Sequence, residues 1–205
     1  MKLYYSPGAC SLAPHIVARE AGLPLDLTKV DLTSHKLEDG TNYYDVNPRG
    51  YVPALRLEEG EPLLTEANIV VQYLADRKPE AGLMPKAGST ERYRAQQWLA
   101  FIATELHKNF SWLWYKDTPA ETKAVVKDKL DKRFAELDGH LKNNDYILGK
   151  SFSAADAYAF TILNWVNVLG MNFKKYPNLQ AFMDRVAARP KVQEALKAEG
   201  LVAAA

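Results

Sequence analysis

The sequence predicts an α/β domain with a mixed four-stranded sheet, followed by an all-α helical domain. Three observations carry this reading. Over residues 1–78, short apolar runs alternate with turn residues. Pro79, Gly82, Pro85 and Gly88 punctuate residues 79–88, which mark a linker. Over residues 89–205, apolar side chains recur at helical spacing.

Lys2–Tyr5 is a first strand, and residues 12–21 are helical and stop at Gly22. Leu25–Val30 is a second strand, and the helix between the two makes them parallel. Ala54–Leu57 and Pro62–Leu64 flank Glu58-Glu59-Gly60-Glu61 as a hairpin. Residues 66–75 close the domain as a helix, with Ile69, Val70, Tyr73 and Leu74 on one face. In the second domain Trp98, Phe101, Ile102 and Leu106 form one helical stripe. Val126, Leu130, Phe134, Leu137 and Leu141 form another, and Leu179, Phe182, Met183 and Val186 a third. Ser153-Ala154-Ala155-Asp156 has the form of a capping box, and Pro190 starts a last short helix.

Hydrophobic residues make up 47% and charged residues 25%, a globular balance. With 26 basic and 25 acidic side chains, the formal charge of +1 gives no electrostatic case for nucleic acid or an anionic membrane. The single cysteine excludes an internal disulfide. The N-terminus carries no signal-peptide pattern. Residues 157–173 are the least charged stretch, but Asn164, Asn167, Gly170 and Asn172 interrupt it, so it reads as a buried core helix. The expected location is cytoplasmic. The four histidines and one cysteine show no metal-ligand spacing.

Cys10 follows a strand and the Ser6-Pro7-Gly8-Ala9 loop and stands just before a helix. Unpaired N–H groups there favour a thiolate and lower a thiol's pKa. Ala13 stands where a C-x-x-C pair would have its second thiol, so a redox cycle needs an external one. The competing reading is a small buried hydrophobe. Tyr51-Val52-Pro53-Ala54 precedes a strand and is either a peptide-pairing edge with a cis proline or an ordinary turn. Thr65-Glu66-Ala67-Asn68 opens a helix and either receives a carboxylate and an ammonium group or simply caps the helix. His107 is either an acid–base group or a core histidine, while His15 and His140 have no comparable setting. Phe110, Trp112, Trp114 and Tyr115 are either pocket or core.

The order and spacing of residues 1–12, Asn47-Pro48-Arg49-Gly50-Tyr51-Val52-Pro53, Gln72-Tyr73-Leu74-Ala75-Asp76, Glu105-Leu106-His107-Lys108 and Phe152-Ser153-Ala154-Ala155-Asp156-Ala157-Tyr158 resemble the bacterial beta class of glutathione transferases. The resemblance implies a thioredoxin-like first domain, a helical second domain, a homodimer, and an open hydrophobic pocket between the domains. It places Cys10 against the glutathione sulfur, able to form a mixed disulfide, with His107 approaching the same sulfur. Val52, presented by Pro53, would pair with the glutathione backbone, and Glu66 and Ala67 would hold its γ-glutamyl end. Three departures stand out. Ser34-His35-Lys36 replaces a common lysine, leaving either His35 or Lys36 for the glycyl carboxylate. Ala67 replaces Ser or Gly and keeps only a backbone contact, and Ala100 replaces an asparagine that reaches across the dimer. The implied activity is conjugation of glutathione to small hydrophobic electrophiles, with thiol–disulfide exchange or peroxide reduction through Cys10 at the same site. The alternatives are a pathway-specific glutathione-dependent dehalogenase or reductase, and a non-catalytic ligand-binding protein.

Overall fold

The computed structural model describes residues 1–203; Ala204 and Ala205, the end of the alanine tail, lie outside the described residues. The chain divides into two compact units, Met1–Met84 with Ala188–Ala205, and Pro85–Ala187.

The first unit is built on β1 (Lys2–Tyr5), β2 (Asp26–Asp31), β3 (Lys36–Leu37), β4 (Ala54–Arg56) and β5 (Leu64–Thr65), in the order β3-β2-β1-β4-β5. β1 is central, and Leu3, Tyr4 and Tyr5 are buried on both of its faces, as an interior strand requires. It pairs parallel with β2 (Leu3 with Leu27) and antiparallel with β4 (Leu3 with Leu55). β4 and β5 form the expected hairpin, with Ala54 opposite Thr65. The sheet is mixed, as the sequence implies, but it has five strands and not four. The extra strand, β3, is two residues long and pairs antiparallel with β2 through Val30 and Leu37. A segment that short carries no alternation to read.

Helix α1 (Leu12–Glu20) covers the sheet with Leu12, Ala13, Ile16 and Val17 buried. A four-residue turn, α2 (Tyr43–Val46), precedes β4, and α3 (Ala67–Asp76) follows β5. The buried face of α3 is Ala67, Val70, Val71, Leu74 and Ala75. Ile69, expected on that face, is 42% exposed.

The second unit contains α4 (Thr90–Phe101), α5 (Lys108–Trp114), α6 (Ala120–Leu141), α7 (Ala154–Leu163), α8 (Trp165–Val168) and α9 (Pro177–Ala187). The buried residues of α6 and α9 are the stripes that the sequence predicts. The first stripe differs. Ala95, Leu99, Ile102 and Leu106 are fully buried, whereas Trp98 and Phe101 are only half-buried. Between α4 and α5 the chain widens into one stretch of π-helix, Ile102–His107, which re-phases the side chains after Phe101. All ten residues of α7 are buried. The capping box forms, with Asp156 Oδ2 accepting from Ser153 N at 2.8 Å and Ser153 Oγ at 2.6 Å. The stretch expected as one core helix breaks at Asn164 into α7 and α8.

The last helix, α10 (Pro190–Ala198), starts at Pro190 as expected. The sequence groups residues 188–205 with the helical domain, whereas the structure groups them with the first unit. Arg189 holds Glu20 of α1 through two bonds of 2.7 Å each, Nε to Oε1 and Nη2 to Oε2. Val192, Ala195 and Leu196 supply the buried face of α10. No local pattern in the sequence announces this long-range return.

Candidate active site

The loop before α1 is shaped by its own short polar side chains. Ser11 Oγ accepts from Ser6 N at 3.1 Å and donates to Ser6 O at 3.2 Å. Gly8 takes φ +71°, in the left-handed region that favours glycine. The loop delivers Cys10 with its side chain half-buried, and Sγ donates to Val52 O at 3.0 Å.

Val52 is held by a segment that the sequence folds tightly. Asn47 is buried, and its Nδ2 donates to Tyr51 O at 2.8 Å. The buried Tyr43 hydroxyl donates to the same carbonyl at 2.9 Å. Burial pushes the Tyr43 pKa up to about 12, which keeps that hydroxyl a donor. Gly50 takes φ +67°, and a Cβ there would stand 2.6 Å from Tyr44 Cε1. Only glycine fits that turn. The Val52–Pro53 bond is cis, one of the two readings open from the sequence.

Glu66 takes φ +66°, an unusual conformation for a non-glycine residue. The plain capping reading fails here. The helix starts one residue later, and no side chain caps it. Glu66 O accepts from Ile69 N and Val70 N, both at 2.9 Å, and the N–H groups of Ala67 and Asn68 precede these first helical bonds. The Glu66 carboxylate lies outward, 3.3 Å from Arg49 Nη1, with both side chains largely exposed.

His35 and Lys36 diverge. The His35 ring lies 4.5 Å from the Tyr44 ring, and its buried Nδ1 has no hydrogen-bond partner. Lys36 is exposed and lines a shallow cavity of about 220 Å³ with Lys29, Asp31 and Glu38. Among the described residues, no cluster of three His, Cys, Asp or Glu side chains is placed to hold a metal ion. No helix among them is long and apolar enough to cross a membrane.

Burial dominates the electrostatics of Cys10. It pushes the thiol up to about 12, with the Glu66 carboxylate adding to the rise. The backbone N–H groups of Cys10 and Ser11 pull the other way and are outweighed. The lowered pKa expected from the helix N-terminus is therefore corrected, and this thiol is neutral and a donor.

In the second unit, His107 ends the π stretch and is half-buried. Its Nδ1 lies 2.7 Å from the Tyr158 hydroxyl, and its ring packs edge-on against Trp165 at 5.1 Å. Phe110 and Trp114 also pack edge-on against Trp165. Phe110 is buried, while Trp112, Trp114 and Tyr115 are exposed. Burial first, then Lys108, pulls the His107 pKa down to about 4. The imidazole is neutral near pH 7.

One supporting group escapes the sequence reading. Glu199, buried just past α10, accepts from Gly8 N at 2.9 Å through Oε2. Its Oε1 lies 2.9 Å from Nδ1 of the buried His15. The C-terminal segment thus grips the loop that carries Cys10, and His15 has a defined setting after all. The two partners are 184 positions apart, so no spacing could reveal them.

The family model described as the N-terminal domain of glutathione S-transferase matches residues 8–77, and that for the C-terminal domain matches residues 96–190. Glutathione S-transferase GstA of Escherichia coli O157:H7 is 48% identical over 201 residues, covering 98% of this chain and 100% of that protein. A beta-class glutathione S-transferase of Sphingomonas chungbukensis superposes with a TM-score of 0.94 at 46% identity, covering 98% of this chain and 100% of the other. A sphingomonad glutathione S-transferase complexed with glutathione gives 0.93 at 44% identity, with the same coverage. With both units matched and likeness at this level along nearly its whole length, the chain belongs to the glutathione S-transferase family, in its bacterial beta class, as an enzyme with glutathione as co-substrate.

Proposed function

We propose that the enzyme conjugates glutathione to small, flat, hydrophobic electrophiles, and that it works as a cytoplasmic homodimer. The observation that carries the mechanism is the neutral Cys10 thiol donating to Val52 O at 3.0 Å. A neutral thiol is a hydrogen-bond donor, so the reacting thiolate belongs to glutathione, and the single S–H of Cys10 turns from Val52 O to that sulfur when glutathione binds, stabilising it by donation. Two adjacent thiolates would repel, which favours one ionised sulfur at a time.

The main chain of Val52, presented by Pro53, pairs with the extended tripeptide. The N–H groups that open α3 at Ala67 receive the γ-glutamyl carboxylate, and the outward Glu66 carboxylate takes its ammonium group. His35 takes the glycyl carboxylate in preference to Lys36, because it lies beside the Tyr44–Gly50 turn that leads to Val52. His107 is the second catalytic group. The aromatic side chains around it, Tyr158, Trp165 and Trp114, favour flat apolar co-substrates. Tyr51 and Ile69 in the first unit, and Tyr93 in the second, are large and exposed, which suits surfaces covered by a second copy.

The test compares wild type with Cys10→Ala on a panel of glutathione-dependent substrates, with native and denaturing mass spectrometry. Wild type should run as a dimer, conjugate a dinitrohalobenzene, and form a glutathione adduct only under oxidising conditions. Cys10→Ala should lose the adduct completely. An adduct that persists in the variant, or a wild type without conjugation, refutes the assignment.

A further inference from the structure

We propose that Tyr158 is the positioning residue that holds His107 in its Nε2–H tautomer, so that the free edge of the imidazole is a hydrogen-bond donor and not a base. The inference rests on the reading of His107 as an active-site group, and it specifies what that group can do.

The geometry begins with α7. Every residue of this helix is buried, and Tyr158 is 2% exposed. The start of the helix is pinned by Asp156, which accepts from Ser153 N, Ser153 Oγ and Ile147 N at 2.8, 2.6 and 2.6 Å. The Tyr158 hydroxyl therefore has little freedom. It meets His107 Nδ1 at 2.7 Å, with the rings nearly perpendicular at 87°. The π stretch that ends at His107 sets the other side of this contact, and Trp165 packs edge-on against the imidazole. Nε2 has no hydrogen-bond partner among the described residues.

One proton bridges Nδ1 and the hydroxyl oxygen, and acidity decides which atom carries it. Burial keeps the imidazole neutral, so Nδ1 and Nε2 share a single hydrogen. A phenol is a stronger acid than a neutral imidazole N–H, and an imidazole nitrogen is a better acceptor than a phenol oxygen. The O–H of Tyr158 therefore donates to Nδ1, and the ring hydrogen sits on Nε2. An Nε2–H group stabilises a thiolate by donation and has no lone pair with which to take a proton. His107 would then be, like Cys10, a neutral hydrogen-bond donor.

The test reads the tautomer directly. Protein labelled with ¹⁵N-histidine gives long-range ¹H–¹⁵N correlations near neutral pH without glutathione, and the His107→Gln spectrum separates His107 from His15, His35 and His140. Wild type should show a bare Nδ1 and a protonated Nε2 at His107. A protonated Nδ1, alone or together with Nε2, overturns the proposal. Tyr158→Phe keeps the ring and removes the hydroxyl. It should mix the two tautomers and lower kcat by about tenfold to a hundredfold while leaving the KM for glutathione in place. An unchanged tautomer in that variant, or an unchanged kcat beside a changed tautomer, also overturns it. Should Tyr158→Phe fail to fold, the wild-type spectrum alone still decides. Because the spectrum needs no turnover, a wild type inactive with glutathione would refute the proposed function without altering the tautomer result.

Discussion

At the scale of single residues, burial sets the chemistry. It raises the thiol of Cys10 and lowers the imidazole of His107, so both groups rest uncharged. The helix N-terminus that the sequence offers to Cys10 is real, but its N–H groups lose to desolvation. The His107 shift has a consequence for stability. A base whose pKa is depressed on folding contributes stability that is present above its unfolded pKa and is lost as pH falls through the folded one. Here the window runs from 6.5 down to about 4. Over that window wild type should lose roughly 3 kcal/mol more stability than His107→Gln, whose side chain does not titrate. Urea midpoints measured against pH for both proteins check this, and parallel curves would show that His107 is not depressed. The sequence made Cys10 and His107 visible as candidates through position and family resemblance. Their protonation was not visible, because it depends on what the fold packs around them.

At the scale of elements, legibility follows regularity. The stripes of α6 and α9 read correctly because 3.6-residue periodicity survives along their whole lengths. The stripe before His107 reads only in part, because the buried positions Ala95, Leu99, Ile102 and Leu106 keep helical spacing while Trp98 and Phe101, both ahead of the π stretch, sit at the edge of that face. The opening of α3 is hidden for a separate reason. Nothing about a glutamate announces φ +66°, and the conformation is imposed by its surroundings. The Asn47–Val52 turn is the opposite case, since its glycine points straight to the geometry. Gly50→Ala must place a methyl group 2.6 Å from Tyr44 Cε1 in a left-handed turn. The exposed Tyr44 ring can swing aside, but the left-handed φ of +67° still disfavours alanine, so the segment shifts and carries the Val52 carbonyl with it. The variant should fold and bind glutathione about tenfold more weakly, since small displacements in a positioned site are costly. Isothermal titration measures this, and wild-type affinity would show that the turn does not position Val52.

At the scale of the whole chain, the first unit is closed by residues 188–203, which return to it from far along the sequence. Arg189 grips Glu20, the buried face of α10 is Val192, Ala195 and Leu196, and Glu199 binds Gly8 N and His15. Leu201 completes the grip, since its Cδ2 would stand 3.4 Å from a Cβ at Gly8. The loop that holds Cys10 is therefore shaped from both ends of the sequence. Ending the chain after Ala187 leaves Gly8 N and His15 without their carboxylate and strips the apolar cover that α10 provides. Each buried polar group left without its partner costs about 1–3 kcal/mol, and losing two takes a large share of the stability of a single unit. The two units should respond differently, because α6, α7 and α9 lie wholly within Pro85–Ala187. Hydrogen exchange followed by mass spectrometry should show α1 and β1 amides exchanging orders of magnitude faster in the truncated chain, with α6 and α7 amides still protected. Glutathione binding should vanish with them. Equal loss of protection in both units would mean that the chain folds as one cooperative block, and full protection of α1 would mean that the C-terminal grip contributes nothing to the loop around Cys10.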